Sequence, residues 1–150
     1  MEDTVEDLYQ QLIIERARAP HHAGRLVHID GEAEGNNPMC GDQVHLMFAR
    51  GDGDVVQEFA HQTHGCAICI ASADLLGDVV LGRHLDEITS TVDAFEEMIR
   101  TGVRPTRRSE FDKLAAFAGV HAYRSRHRCA TLAWQAARTA IIRMMEAHHG

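Results

Sequence analysis

The stretch Asn37-Pro38-Met39-Cys40-Gly41-Asp42 constrains this chain more than any other. Pro38 has no N–H to give to a ladder and disfavours helical geometry at Asn37, so regular structure must break here. Gly41 permits a sharp reversal of the backbone, which lets the side chains of Cys40 and Asp42 converge. A thiol and a carboxylate on one tight turn are a weak signal alone. They gain weight from Cys66 and Cys129, each at the expected start of a helix.

With 150 residues, 45% hydrophobic and 25% charged, the chain reads as a single domain, 1–150, with a core of its own. The formal net charge is −7 and the pI about 5.8, a balance that repels phosphate backbones and argues against nucleic acid as a partner. Arg104, Arg107 and Arg108 form a local basic patch that reads as a solvated turn. The acidic start, MEDTVEDLYQQ, lacks the pattern of a signal peptide, and no apolar run reaches membrane-spanning length. A cytoplasmic protein is expected, with no membrane contact and with its four cysteines reduced.

Patterning predicts a first helix from about Thr4 to Ala19, with Thr4 and Asp7 at capping-box spacing and Val5, Leu8, Leu12 and Ala19 inward. Pro20 ends it. Arg25–Ile29 reads as a short strand and 31–37 as a polar loop. Val44, Leu46 and Phe48 alternate on a strand over 43–48. The Gly51-Asp52-Gly53-Asp54 turn then returns the chain as an antiparallel strand over 55–62, of ambiguous register.

Small apolar residues over 66–81 predict a closely packed helix, with Gly77 a weak point of about 1 kcal/mol. A second helix over 86–100 carries Ile88, Val92, Phe95 and Ile99 and ends at Gly102. A short helical stretch over 110–118 places Phe111, Leu114 and Phe117 on one side. A last helix over about 128–147 turns Leu132, Ala136, Ile141 and Met144/Met145 inward, and His148-His149 reads as a frayed tail. The class is α+β: an N-terminal helix, a small three-stranded antiparallel sheet, then several packed helices.

Zinc takes four tetrahedral ligands from Cys, His and carboxylate, and Cys40, Asp42, Cys66 and Cys129 supply three sulfurs and one oxygen. Their spacing is unlike a zinc finger, so the fold itself must assemble the site. Helix N-termini at Cys66 and Cys129 are expected to favour the thiolate. Arg126, His127 and Arg128 stand where they can offset the negative charge of the set. Cys69 reads first as a small buried residue, although Cys66-x-x-Cys69 could also form a redox pair or supply a substitute ligand. His61, His64 and His127 are reserve ligands that, taken singly, read as exposed or hydrogen-bonded.

The runs Asn37–Asp42, His64-Gly65-Cys66 with Ile68 and Ala71-Ser72-Ala73, and Arg128-Cys129-Ala130-Thr131-Leu132-Ala133-Trp134 resemble the U-type iron–sulfur assembly proteins. The resemblance extends from Leu8-Tyr9 to about Ala137. It is closer to SufU than to IscU: the segment between Cys66 and Cys129 is long, a basic residue precedes Cys129, and the run Leu-Pro-Pro-Val-Lys is missing.

The resemblance implies a SufE/IscU-like fold and zinc on Cys40, Asp42, Cys66 and Cys129. It also implies a sulfurtransferase role, in which Cys40 accepts persulfide sulfur from a SufS-type, PLP-dependent cysteine desulfurase and passes it to a downstream iron–sulfur scaffold. Arg126 matches a supporting basic position in these relatives. The alternative is a scaffold that builds a [2Fe–2S] cluster on the same ligands.

Overall fold

The computed structural model describes residues 5–105 and 111–149, and the side chains of residues 9–105 and 111–147. The order is α1 (Val5–Arg18), β1 (Gly31–Asn37), β2 (Asp42–Gly51), β3 (Val55–His64), α2 (Ala67–Val80) and α3 (Leu85–Thr101). The single turn α4 (Phe111–Leu114), two 3-10 segments (Ala115–Ala122 and Arg124–Arg126) and α5 (His127–His149) follow. This is the expected α+β arrangement, with sheet order β1-β2-β3 and both pairings antiparallel. The expected cap at Thr4 and Asp7, inward Val5 and Leu8, Arg107, Arg108, Glu110 and the side chains of His148-His149 lie outside what is described.

One strand is not where the pattern put it. Residues 25–29 form no strand: the chain leaves the β3 edge at Gly24, whose N–H meets the His61 carbonyl at 3.0 Å, and rejoins the sheet at Asp30. The third strand is β1, the stretch read as a polar loop. Its glycines answer to packing, because α5 lies directly on β1. A Cβ at Gly31 would come within 2.2 Å of Met144 Cγ, and one at Gly35 within 3.0 Å of Leu132 Cδ1. Ala33 and Asn37 face inward on the same side, while Glu32, Glu34 and Asn36 alternate outward at a sheet edge.

The ambiguous register of β3 also has a local cause. Phe48 pairs with Phe59 and Ala49 with Glu58, but Arg50 then pairs with Val56, so Gln57 is bulged out. The alternation changes phase there. Val56 and Phe59 are therefore both buried despite their odd spacing, and the Phe48 and Phe59 rings meet edge-on at 5.2 Å.

Against the sheet, α2 packs along β3 and α5 across β1 and β2. Ser72 joins the two helices: its Oγ donates to the Ala130 carbonyl at 2.5 Å and accepts the Trp134 indole N–H at 2.9 Å. Trp134 stacks on Phe95 of α3 at 4.1 Å, which brings the third helix into the same core. Ile88, Val92, Phe95 and Ile99 are buried as the spacing predicts, and Gly102 (φ +77°) closes α3 with its N–H on the Met98 carbonyl at 2.7 Å. Phe111, Leu114 and Phe117 are buried, on a helical turn that tightens to 3-10 at Ala115.

The inward face of α1 does not continue to Ala19, which is exposed, but through Arg16, which is buried. A cation is tolerated there because α2 presents two carboxylates: Arg16 donates to Asp74 at 2.8 Å and to Asp78 at 2.5 Å. Burial alone would push Asp74 toward its neutral form. His61 at 3.0 Å, the backbone N–H groups of His21 and His22 and the Arg16 guanidinium outweigh burial and hold the carboxyl well below the usual range. Asp78, likewise opposed by burial, is held low by Arg16, His22 and Lys113.

Two outcomes are expected. A Cβ at Gly77 would lie 2.8 Å from Phe59 and 2.5 Å from the His22 ring, so Gly77→Ala overpacks the α2–β3 contact. We expect it to lower stability by about 1–2 kcal/mol in denaturant titration, although helix propensity alone favours Ala by about 1 kcal/mol. Arg16→Met leaves Asp74 buried without its cation and should cost about 3–5 kcal/mol at pH 7. Both carboxyls titrate lower in the folded chain than in the unfolded one. Their stabilisation is therefore present at neutral pH and lost as pH falls below about 4, and urea titrations at pH 7 and pH 3 should show the gap between variant and parent narrowing in acid.

Candidate metal centre

The β1–β2 hairpin builds the first part of the site. Asn37 pairs with Asp42 across its end, the Cys40 N–H closes a turn on the Asn37 carbonyl at 3.2 Å, and Gly41 takes φ +72°, a left-handed angle that glycine adopts without strain. The turn leaves Cys40 and Met39 exposed at its tip and turns Asp42 fully inward. Asp42 Oδ1 accepts the Cys66 backbone N–H at 3.1 Å, and the Asn37 side-chain amide stands 3.4 Å from Oδ2. Gly65 makes this approach possible: it adopts φ +150°, and a Cβ there would sit 2.2 Å from Asp42 Oδ1.

Cys66, half-buried, is the N-cap of α2. Cys129 lies in the first turn of α5 and is buried. The ligand atoms of Cys40, Asp42 and Cys129 all lie within 4.8 Å of one another. Cys66 falls outside that mutual limit, but its sulfur and Asp42 are both hydrogen-bond partners of the Cys129 thiol.

Burial first, and then these two neighbours, drive the Cys129 thiol well above its ordinary pKa. The helix N-terminus was expected to favour the thiolate at Cys129; in the folded chain desolvation and adjacent acidic groups outweigh it. Arg126 is the basic residue that meets the cluster. Its guanidinium, raised first by a hydrogen bond with Cys129 and then by the charge of Cys66, stands on the exposed side. Arg128 instead donates to the Asn36 carbonyl at 3.3 Å, and His127 faces the His121 carbonyl at 2.8 Å, so neither joins Arg126 there.

The reserve histidines are placed elsewhere. His61 is committed to Asp74, and His64 is exposed opposite Gln43 at the end of β3. Arg104 pairs with Asp112. Cys69 is fully buried, and burial, with the charges of Asp42, Cys66 and Cys40, pushes its thiol up to about 12. The roles of Asn37 and Gly65 were not read from the sequence. Both stand inside the motifs, but a residue's use as an amide partner or as a space for a carboxylate has no pattern of its own.

A buried carboxylate with sulfur neighbours suits a borderline-soft divalent cation. Asp42 accepts the Cys66 N–H on one oxygen and the Asn37 amide on the other and keeps lone pairs free, while the Cys129 thiol is driven toward its neutral form by negative neighbours that a cation would neutralise. The donor set therefore fits zinc.

Residues 8–130 match the family model described as the NifU-like N-terminal domain. The chain is similar to an iron–sulfur cluster assembly scaffold protein IscU of Streptococcus pyogenes serotype M1, 33% identical over 142 residues that cover 95% of this chain and 87% of that one. A zinc-dependent sulfurtransferase SufU of Bacillus subtilis is 29% identical over 132 residues, covering 88% of each. Among solved structures, the N-terminal part of a nitrogen-fixing NifU-like protein from Brucella abortus superposes with a TM-score of 0.82 at 29% identity, covering 95% of this chain and 97% of that one.

Gly65→Ala should displace the Asp42 carboxylate while leaving all four donors in the sequence. The expected result is zinc affinity lowered by about 10- to 100-fold in competition with a chromophoric chelator.

Proposed function

The chain belongs to the NifU-like N-terminal domain family, and from that premise we propose that it is a zinc-dependent sulfur acceptor in iron–sulfur cluster assembly, with Cys40 as the carrier. The observation that carries this reading is an asymmetry within one cluster: Asp42 and Cys129 are buried, whereas Cys40 stands exposed on a glycine-hinged turn. One donor is thus accessible to a partner while the others are held by strand and helix. Bound to Cys40, Asp42, Cys66 and Cys129, zinc would stabilise thiolates without redox chemistry of its own.

The donor of sulfur would be a SufS-type, PLP-dependent cysteine desulfurase that docks over the Cys40 turn. Cys40, released from the donor set as a thiolate, attacks the outer sulfur of the desulfurase persulfide. The sulfur–sulfur bond of that persulfide breaks, the desulfurase cysteine leaves as thiolate, and Cys40 carries the persulfide on to an assembly scaffold. Arg126, close to Cys129 and exposed, offsets the negative charge of the thiolates during the exchange. Such chemistry requires reduced thiols, the condition that a cytoplasmic location would supply. Among the described residues no helix is long and apolar enough to cross a membrane.

A second reading, favoured by the name of the Streptococcus relative, is a scaffold that builds a [2Fe–2S] cluster on the same thiols. Anaerobic reconstitution with iron and sulfide, followed by transfer of an absorbing cluster to an apo acceptor, would favour it. For the carrier reading, wild type should accelerate desulfurase turnover and gain the mass of one sulfur atom on Cys40. Cys40→Ala should lose the acceleration by about 100-fold or more, as expected for removal of a nucleophile. Full stimulation by Cys40→Ala would sink the carrier role.

A further inference from the structure

The carrier reading asks one donor to leave while its neighbours stay, and the fold sets both duties on one turn. Only Gly41, at φ +72°, separates Cys40 from Asp42, so a movement that carries Cys40 to a partner acts on Asp42 through a single flexible residue. Asn37 stands where it can hold Asp42 against that movement. It ends β1 directly opposite Asp42 and is 2% exposed, whereas Asn36 beside it faces solvent. Its side-chain amide donates to Asp42 Oδ2 at 3.4 Å, and its carbonyl accepts the Cys40 N–H at 3.2 Å. Cys40 is thus tied to Asn37 by one backbone bond of the turn, and Asp42 by the strand pairing and a buried side chain.

Resting on the function proposed above, we infer that Asn37 is a positioning residue of the metal centre: its amide keeps the Asp42 carboxylate turned into the donor set while the Cys40 turn opens to pass sulfur. The two oxygens of Asp42 are held from different segments, Oδ1 by the Cys66 N–H at the start of α2 and Oδ2 by the end of β1. Two such contacts fix the plane of a carboxylate, whereas one leaves it free to swing. Neither contact comes from residues 38–41, the part of the turn that has to move.

The residue type suits this duty. On Asp74, the Arg16 guanidinium satisfies the carboxylate and also cancels its charge. The same cation on Asp42 would compete with a metal ion for the carboxylate. A neutral amide orients the oxygen, adds no positive charge and leaves lone pairs for coordination. Burial sharpens the point. An amide taken out of water is costly unless it is bonded, so an apolar side chain would fill this place better if the bond to Asp42 had no use.

A double-mutant cycle on zinc-loaded, full-length protein tests this, read as the rate at which zinc passes to a chromophoric chelator. Its four corners are wild type, Asn37→Leu, Cys40→Ala and Cys40→Ala/Asn37→Leu. Leu fills a similar volume and donates nothing. With Cys40 present, Asn37→Leu should speed release by no more than about twofold, because the closed turn also holds Asp42. With Cys40 absent, the same change should speed release about tenfold or more, as for loss of a group that orients a metal ligand.

Equal factors in the two backgrounds, or no effect in either, would overturn the inference. A residue that merely stabilises the fold gives equal factors, since removing Cys40 does not change its part in the fold. Melting of each metal-free protein is followed by circular dichroism, and Asn37→Ala replaces Asn37→Leu where the latter melts well below its parent. Loss of the fold in both counts against the positioning role. Desulfurase assays on the same proteins separate the two readings. Stimulation retained by Cys40→Ala removes the carrier role and the inference with it, whereas lost stimulation with equal release factors removes only the hold on Asp42.

Discussion

The hydrogen bond from the Cys66 backbone N–H to Asp42 ties together the parts on which the site depends. It joins the β1–β2 turn to the start of α2 through a carboxylate with no exposed surface. Gly65 gives up a side chain so that the carboxylate can stand there. The third segment arrives separately: α5 reaches the same place because glycines in β1 let it lie directly on the sheet, and Cys129 is carried in on its first turn. Backbone space, in both cases, is what converts distant sulfurs into neighbours.

The two buried aspartates of this fold show how environment separates structural from functional carboxylates. Asp74 meets Arg16, His61 and two backbone N–H groups, a set of donors that satisfies both of its oxygens and leaves an internal clamp between α1, α2 and β3. Asp42 meets the Cys66 N–H, the neutral Asn37 amide and the Cys129 thiol. Satisfied carboxylates are inert. A buried carboxylate with one neutral donor on each oxygen, beside a thiol that burial holds protonated, has coordination capacity left over for a cation.

Much of this was legible along the chain, and the exceptions share a cause. Period located α3, α5 and β2, since each turns an alternating or helical stripe to a single core, and a run of small apolar residues located α2, which is buried on nearly every side. β1 escaped because Gly31 and Gly35 read as loop residues, and their use as room for Met144 and Leu132 depends on a helix that begins some ninety residues later. Arg16 escaped for the converse reason: a charge at an inward helical position looks like the end of the face until Asp74 and Asp78 come alongside. The bulge at Gln57 shifted the phase of β3, so neither simple alternation described it.

By itself the sequence determined the α+β class, the break at Pro38, the turn at Gly41 and the four donor types, because these follow from local stereochemistry and from what each side chain can ligate. Only the tertiary structure decided how those donors differ. It buried Asp42 and Cys129, left Cys40 at the surface and turned Arg126 rather than its neighbours toward the thiols. Burial and proximity are properties of the assembled layers, and desolvation is what distinguishes one thiol from another here.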